Sequence, residues 1–139
     1  MTITITIPGL PGSQTSRERG HWASGARKAK AWRKSAWAQL VNLAPDMATN
    51  REVRITVALF RVYAHPRRKV GGDNLVTSMK AVRDGVADAL FDRCQHHAVK
   101  PCGAYHDDDE RIAWAYDQKP GTSSHVRIEL RRDAARSEG

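Results

Sequence analysis

The chain has 139 residues, a length that suits one domain built on one modest core. Hydrophobic residues make up 40% and charged residues 27%, which excludes a disordered chain, and no run of about 18 apolar residues is available to span a bilayer. Lysine and arginine number 23 against 15 acids, a formal charge of +8, so a polyanionic partner is favoured, whether nucleic acid or an anionic surface.

Thr2 to Ile7 alternates threonine with isoleucine, which predicts a strand with one buried face. Met1 to Ile7 carries no basic segment of the kind that opens a signal peptide, so a cytoplasmic location is expected, with no membrane partner. Pro8-Gly9-Leu10-Pro11-Gly12-Ser13 ends the strand, and Ser13 to Gly25 reads as a polar loop. A helix is predicted from Ala26 to about Leu43, with Trp32, Ala36, Leu40 and Leu43 on its apolar side and Arg27, Lys28, Lys30, Arg33 and Lys34 on its basic side. Pro45 is expected to stop it. A second strand is predicted from Val53 to about Tyr63, followed by the basic loop His65-Pro66-Arg67-Arg68-Lys69 and the pair Gly71-Gly72. Asp73 is then placed to cap a helix running to about Leu90. Phe91 to His106 reads as a polar connection, and two strands follow, Arg111 to Tyr116 and His125 to Leu130. The order β-α-β-α-β-β predicts one α+β domain over residues 1–133, two main helices on a small mixed sheet, with 134–139 as a frayed tail.

The helix after Gly72 carries the chemistry. At the helical period, Leu75, Met79, Val82, Val86 and Leu90 share one side, while Asp73, Lys80, Asp84 and Asp88 gather on the other. Polar helix faces are most often simply solvated. Here, however, a second acidic cluster, Asp107-Asp108-Asp109-Glu110, precedes a predicted strand. Four consecutive acids in a basic protein repel one another unless cations compensate them. Carboxylates from a helix start and a distant loop, joined in a basic groove, would suit Mg²⁺, a hard ion that takes oxygen ligands. Such an ion polarises a scissile phosphate and activates water, and a nearby lysine stabilises the charge that develops.

Asp73-Asn74-Leu75 followed by Met79-Lys80-Ala81-Val82-Arg83-Asp84-Gly85-Val86-Ala87-Asp88-Ala89-Leu90 resembles the RusA-type Holliday junction resolvases of bacteria and prophages. That family opens a helix on Asp-x-Asp-Asn, places a lysine in it, and carries a paired aspartate before a later strand. Ile5-Thr6-Ile7-Pro8-Gly9-Leu10-Pro11 resembles the family's first strand and turn, and Lys28 to Lys34 its first helix. The resemblance implies a RusA-like fold and a homodimer that uses Mg²⁺ or Mn²⁺ to cut four-way junctions, once per subunit. By position it implies Asp73, Asp108 and Asp109 as metal-binding carboxylates, with Asp73, Lys80 and Asp109 catalytic. Arg67, Arg68, Lys69, Lys28, Lys30 and Trp22 are the candidate DNA contacts. Three departures stand out: Gly71 occupies the position of the first aspartate, Lys80 lies about a turn later than the family's lysine, and the loop before the acidic cluster is longer. On a continuous helix Asp84 lies roughly 16 Å from Asp73 along the axis, too far to replace the missing carboxylate at the same ion.

The long loop contains Cys94, His96, His97, Cys102 and His106. Two cysteines are too few for a disulfide framework, and Cys94, His96 and Cys102 with one more histidine, such as His97, make a candidate tetrahedral Zn²⁺ site. Three functions follow: a metal-dependent endonuclease on branched DNA, a junction-binding relative impaired by Gly71, and a basic zinc-stabilised adaptor.

Overall fold

Alternation and helical periodicity build four strands and three helices, and the computed structural model describes residues 2–12, 22–91 and 106–133, the side chains of 22–24 aside. The expected tail, 134–139, and the candidate zinc residues Cys94, His96, His97 and Cys102 lie outside these residues. The elements are β1 (Thr2–Pro8), α1 (Trp22–Leu40), β2 (Ile55–Tyr63), a 3₁₀ turn (Pro66–Arg68), α2 (Gly72–Ser78), α3 (Lys80–Phe91), β3 (Ile112–Pro120) and β4 (His125–Arg132). The strands form one sheet in the order β1-β4-β2-β3. β2 runs parallel to β3 and antiparallel to β4, and β4 antiparallel to β1. The domain is the expected α+β type with a small mixed sheet.

In β1 the alternation works as predicted: Ile5 and Ile7 are buried while the intervening threonines face solvent. Gly9 ends the strand at φ +92°, a backbone angle that side chains make costly. Its amide donates to the Ser124 carbonyl at 3.1 Å, tying this turn to the one between β3 and β4. Ile5 pairs with Ile128, and Ile128 with Leu59, so one apolar row crosses three strands beneath the helices.

α1 buries Ala36 and Leu40 completely and ends three residues before the predicted Leu43. The Leu43 amide bonds back to the Leu40 carbonyl, a three-residue step that tightens the chain. This swings Leu43 out of the apolar stripe to 54% exposure, and fully buried Met47 takes part in the core instead. The Met47 amide donates to the Leu90 carbonyl at 2.8 Å, satisfying one of the acceptors left open at the end of α3.

The single helix predicted from Asp73 to Leu90 is two. Met79, at φ −94° and ψ 3°, separates α2 from α3. Just before it, Thr77 Oγ1 donates to the Asp73 carbonyl and Ser78 Oγ to the Leu75 carbonyl. Hydroxyls that bond back onto the preceding turn bend helices. The apolar stripe survives the break: Leu75, Met79, Val82, Val86 and Leu90 are all buried. The cap also differs from expectation. Gly71 is the N-cap and offers no side chain, while Asp73 sits in the first turn, where a carboxylate favours the positive helix end without capping it.

α1 packs closely against α3 at Gly85. A Cβ added at Gly85 would stand 2.2 Å from the Arg33 carbonyl oxygen and 2.8 Å from Ala36 Cβ, so only glycine admits α1 there. Beside this crossing, Arg33 forks onto Asp88 with bonds of 2.6 and 2.9 Å, the paired geometry that makes arginine–carboxylate contacts strong.

Candidate functional site

The acidic side of α3 is not a solvated face. Asp84 and Asp88 are buried, Asp88 against Arg33 of α1 and Asp84 against Lys80. Lys80 Nζ lies 2.9 Å from Asp84 Oδ1, one helical turn on, and 3.3 Å from Asp107 Oδ2 in the turn before β3. One ammonium therefore joins a helix carboxylate to the distant acidic cluster, the kind of juxtaposition that the sequence pattern predicts, but through Asp84 and Asp107.

Asp107 is held from several directions. Arg83 Nε donates to Asp107 Oδ2 at 2.8 Å and Arg83 Nη2 to its carbonyl at 3.0 Å. Trp114 Nε1 donates to the same carbonyl at 2.7 Å. Arg83 lies over the Trp114 ring, 4.7 Å from its centroid, and donates its last arm to the Tyr116 hydroxyl. Each contact uses a side chain from α3 or β3, so the orientation of Asp107 follows from how the helix sits on the sheet.

The charges respond accordingly. Burial disfavours the Asp84 anion, and Lys80 offsets only part of that, so its carboxyl is pushed above the usual range. Burial also opposes the Asp107 charge, but Lys80 and Arg83 outweigh it and hold its carboxyl below the usual range. Desolvation works against the Lys80 ammonium, and Asp84 and Asp107 together more than reverse the effect, so its pKa is raised. Lys80 is thus held firmly in its charged form.

The three carboxylates expected at a metal, Asp73, Asp108 and Asp109, do not come together. Both Asp109 oxygens face Arg111: Oδ1 accepts from its amide at 2.9 Å and its Nε at 3.0 Å, and Oδ2 from its Nη2 at 3.2 Å. Arg111 also donates to the carbonyls of Met47 and Asn50, so Asp109 organises the entry to β3. Those hydrogen bonds hold its carboxyl below the usual range. Asp108 is exposed, and Asp73 is exposed at the start of α2. Among the described residues no group of three or more His, Cys, Asp and Glu side chains is placed to hold a metal. The pair Asp84 and Asp107 supplies two carboxylates around one cation position, now taken by Lys80. That donor type and number fit Mg²⁺, which commonly uses one or two carboxylates and completes its shell with water.

A cleft of about 380 Å³ opens beside this cluster, walled by Pro11 after β1, Lys28 and Trp32 of α1, Arg68 of the 3₁₀ turn, and Lys80 and Asp84 of α3. Two of the expected DNA contacts, Lys28 and Arg68, line it together with Lys80. Lys30, Arg67 and Lys69 are exposed but do not line it. Trp22 begins α1, and its side chain lies outside the described residues.

Arg61 escapes the sequence pattern. The alternation that buries Ile55, Val57 and Leu59 carries on to Arg61, leaving a guanidinium 2% exposed. It donates from Nη1 to the Arg68 carbonyl, while its Nε has no hydrogen-bond partner among the described residues. Burial and the neighbouring Arg68 charge both push its pKa down. The signal was present in the strand register, which places residue 61 in line with residues 55, 57 and 59.

Among the described residues no helix is long and apolar enough to cross a membrane. No protein-family model matches the chain, and no curated protein matches it.

Proposed function

We propose that the protein is a metal-dependent endodeoxyribonuclease of the RusA type that cuts branched DNA such as Holliday junctions, acting as a homodimer. The observation that carries this reading is the Lys80 bridge, which joins Asp84, a carboxylate of α3 at the wall of a basic cleft, to a carboxylate of the distant acidic turn. The resemblance of the Asp73-to-Leu90 segment and the later aspartates to that family supplies the substrate, and the charge of +8 suits a phosphate backbone.

In this reading Asp84 and Asp107 would hold Mg²⁺ or Mn²⁺, which would supply polarisation of the phosphate and a lowered pKa of water. Lys80, moved off its two carboxylates, places its ammonium on the phosphoryl oxygens or the leaving oxygen, where a fixed charge favours the transition state over the substrate. Arg83 and Trp114 hold Asp107 in place beside Lys80. Lys28 and Arg68 draw the backbone in without reading its sequence. Asp73 and Asp109, the carboxylates that the family pattern implies, take secondary parts: Asp73 adds negative charge at the helix start, and Asp109 holds the turn.

A second reading, a junction-binding protein that does not cut, is favoured by Gly71 at the position of an expected carboxylate and by the cations already seated on Asp84, Asp107 and Asp109. One experiment separates the two. Purified protein is incubated with a labelled four-way junction, with and without Mg²⁺ or Mn²⁺, beside a linear duplex of the same sequence. Nuclease activity gives paired incisions that need the metal and spare the duplex, and Asp84→Asn or Asp107→Asn reduces them on the order of a hundredfold or more while junction binding persists. Tight binding without incision in either metal establishes the second reading. Equal binding to junction and duplex, with no cutting, removes both.

A further inference from the structure

Arg61 is a buried charge to which no carboxylate is paired among the described residues. A charge withdrawn from water is costly unless an opposite charge meets it. Its one hydrogen bond goes to the backbone of Arg68, so it holds in place the residue that forms one wall of the cleft. The Arg68 guanidinium itself, and Lys28 across the cleft on α1, have no acidic partner among the described residues. The Lys80 charge, by contrast, is balanced by Asp84 and Asp107. Among the described residues the cleft thus concentrates cationic groups from three separate elements against one lining carboxylate that is already engaged. Its volume, about 380 Å³, matches a ligand of mononucleotide size. Trp32 forms part of the wall and also faces a smaller adjoining hollow lined by Lys28 and Pro8, so an aromatic surface lies beside the cations.

We propose that this cleft is a subsite for a single nucleotide, which seats its phosphate between Lys28 and Arg68 and its base against Trp32. Aromatic–base stacking is indifferent to base identity, so the subsite takes any nucleotide turned out of the branched substrate. Arg61 supplies a third positive charge, behind Arg68. The inference rests on the reading of DNA as the partner of this face and adds to it a defined place for one nucleotide.

The test is calorimetric titration of the full chain with thymidine 5′-monophosphate, thymidine and inorganic phosphate, in the wild type and in Lys28→Ala and Arg68→Ala. Four-way-junction binding is measured on the same preparations. The expected result is that the monophosphate binds at least about tenfold more tightly than thymidine and than inorganic phosphate, and that each variant weakens it about fivefold or more, as charge-assisted contacts require. Monophosphate binding no tighter than thymidine, or unmoved by both variants, overturns the subsite; if the junction still binds, the DNA reading stands without it. Inorganic phosphate binding as tightly as the monophosphate overturns the placement of the base on Trp32. A subsite that behaves as expected in a protein with no affinity for junction or duplex overturns the DNA reading and leaves a nucleotide site.

Discussion

Gly85→Ala tests the packing that positions the cleft. In an exposed helix this substitution stabilises by about 1 kcal/mol, because alanine loses less backbone freedom. At the crossing of α1 and α3 the added methyl lands 2.2 Å from the Arg33 carbonyl oxygen, where ordinary contact begins at 3.4 Å. The helices must part by about 1.2 Å to admit it, since the obstructing atom is backbone and has no rotamer to change. Overpacking of this kind costs roughly 1–3 kcal/mol, and the movement also lengthens the Arg33–Asp88 bonds, each a charge-assisted contact of about 1.5–3 kcal/mol. These losses exceed the propensity gain, for a net destabilisation of about 2 kcal/mol. With a urea slope of roughly 1–3 kcal/mol per molar, the unfolding midpoint falls by about 1 M. Gly72→Ala is the internal control, because a Cβ there meets nothing within 4 Å; it should leave the midpoint unchanged or raise it slightly. A Gly85→Ala protein as stable as the wild type, or more stable, would falsify the close crossing and with it the placement of Lys28 opposite Lys80.

Asp88→Ala strips the fork from Arg33 and leaves a half-buried guanidinium, so stability should drop by about 3 kcal/mol, read from urea unfolding; an unchanged midpoint would mean that the pair does not join α1 to α3. Arg61→Met removes a buried charge that has no anionic partner among the described residues and fills the space with a flexible apolar chain. It should hold stability level or raise it by about 1 kcal/mol while weakening nucleotide binding, the two quantities moving in opposite senses; a large loss of stability would show that Arg61 is held by compensation other than its bond to Arg68. Because Arg111 holds the Asp109 carboxyl below its unfolded value, that contact adds stability above the unfolded value and loses it as pH falls through the lowered folded value. Unfolding followed from neutral to acid pH should therefore be less pH-dependent in Asp109→Asn than in the wild type, and identical slopes would refute the Asp109–Arg111 assignment.

Periodic features were the legible ones. Leu75, Met79, Val82, Val86 and Leu90 fall on one side at the helical period, and burial follows that spacing whether the helix is continuous or broken. The break at Met79 was not legible, because Thr77 and Ser78 bond their own helix only in one choice of side-chain rotamer. Leu43 shows the same limit at an end: its pattern continues the stripe, but the tightened last turn rotates it outward. At the site, Lys80 to Asp84 is a local pair that helical spacing predicts. Its extension to Asp107 is a meeting of segments 27 positions apart in the chain, which depends on how α3 lies across β3. Asp109 was singled out by its place before the strand. That same place lets it serve Arg111, and sequence alone does not distinguish a carboxylate that organises a turn from one that awaits a metal.

The sheet order has a consequence for synthesis. β1 is made first, yet its partner β4 is the last of the four strands and fills the position between β1 and β2. At ribosomal rates of roughly 5–20 residues per second, β1 waits on the order of 10 seconds before β4 emerges. During that interval Thr2 to Ile7 is an unpaired strand of high β-propensity, the type of segment that pairs with copies of itself on neighbouring nascent chains. Slower elongation lengthens the wait and worsens the hazard. A permuted gene that encodes β4 directly ahead of β1 would let the two strands pair as a hairpin as soon as they leave the exit tunnel.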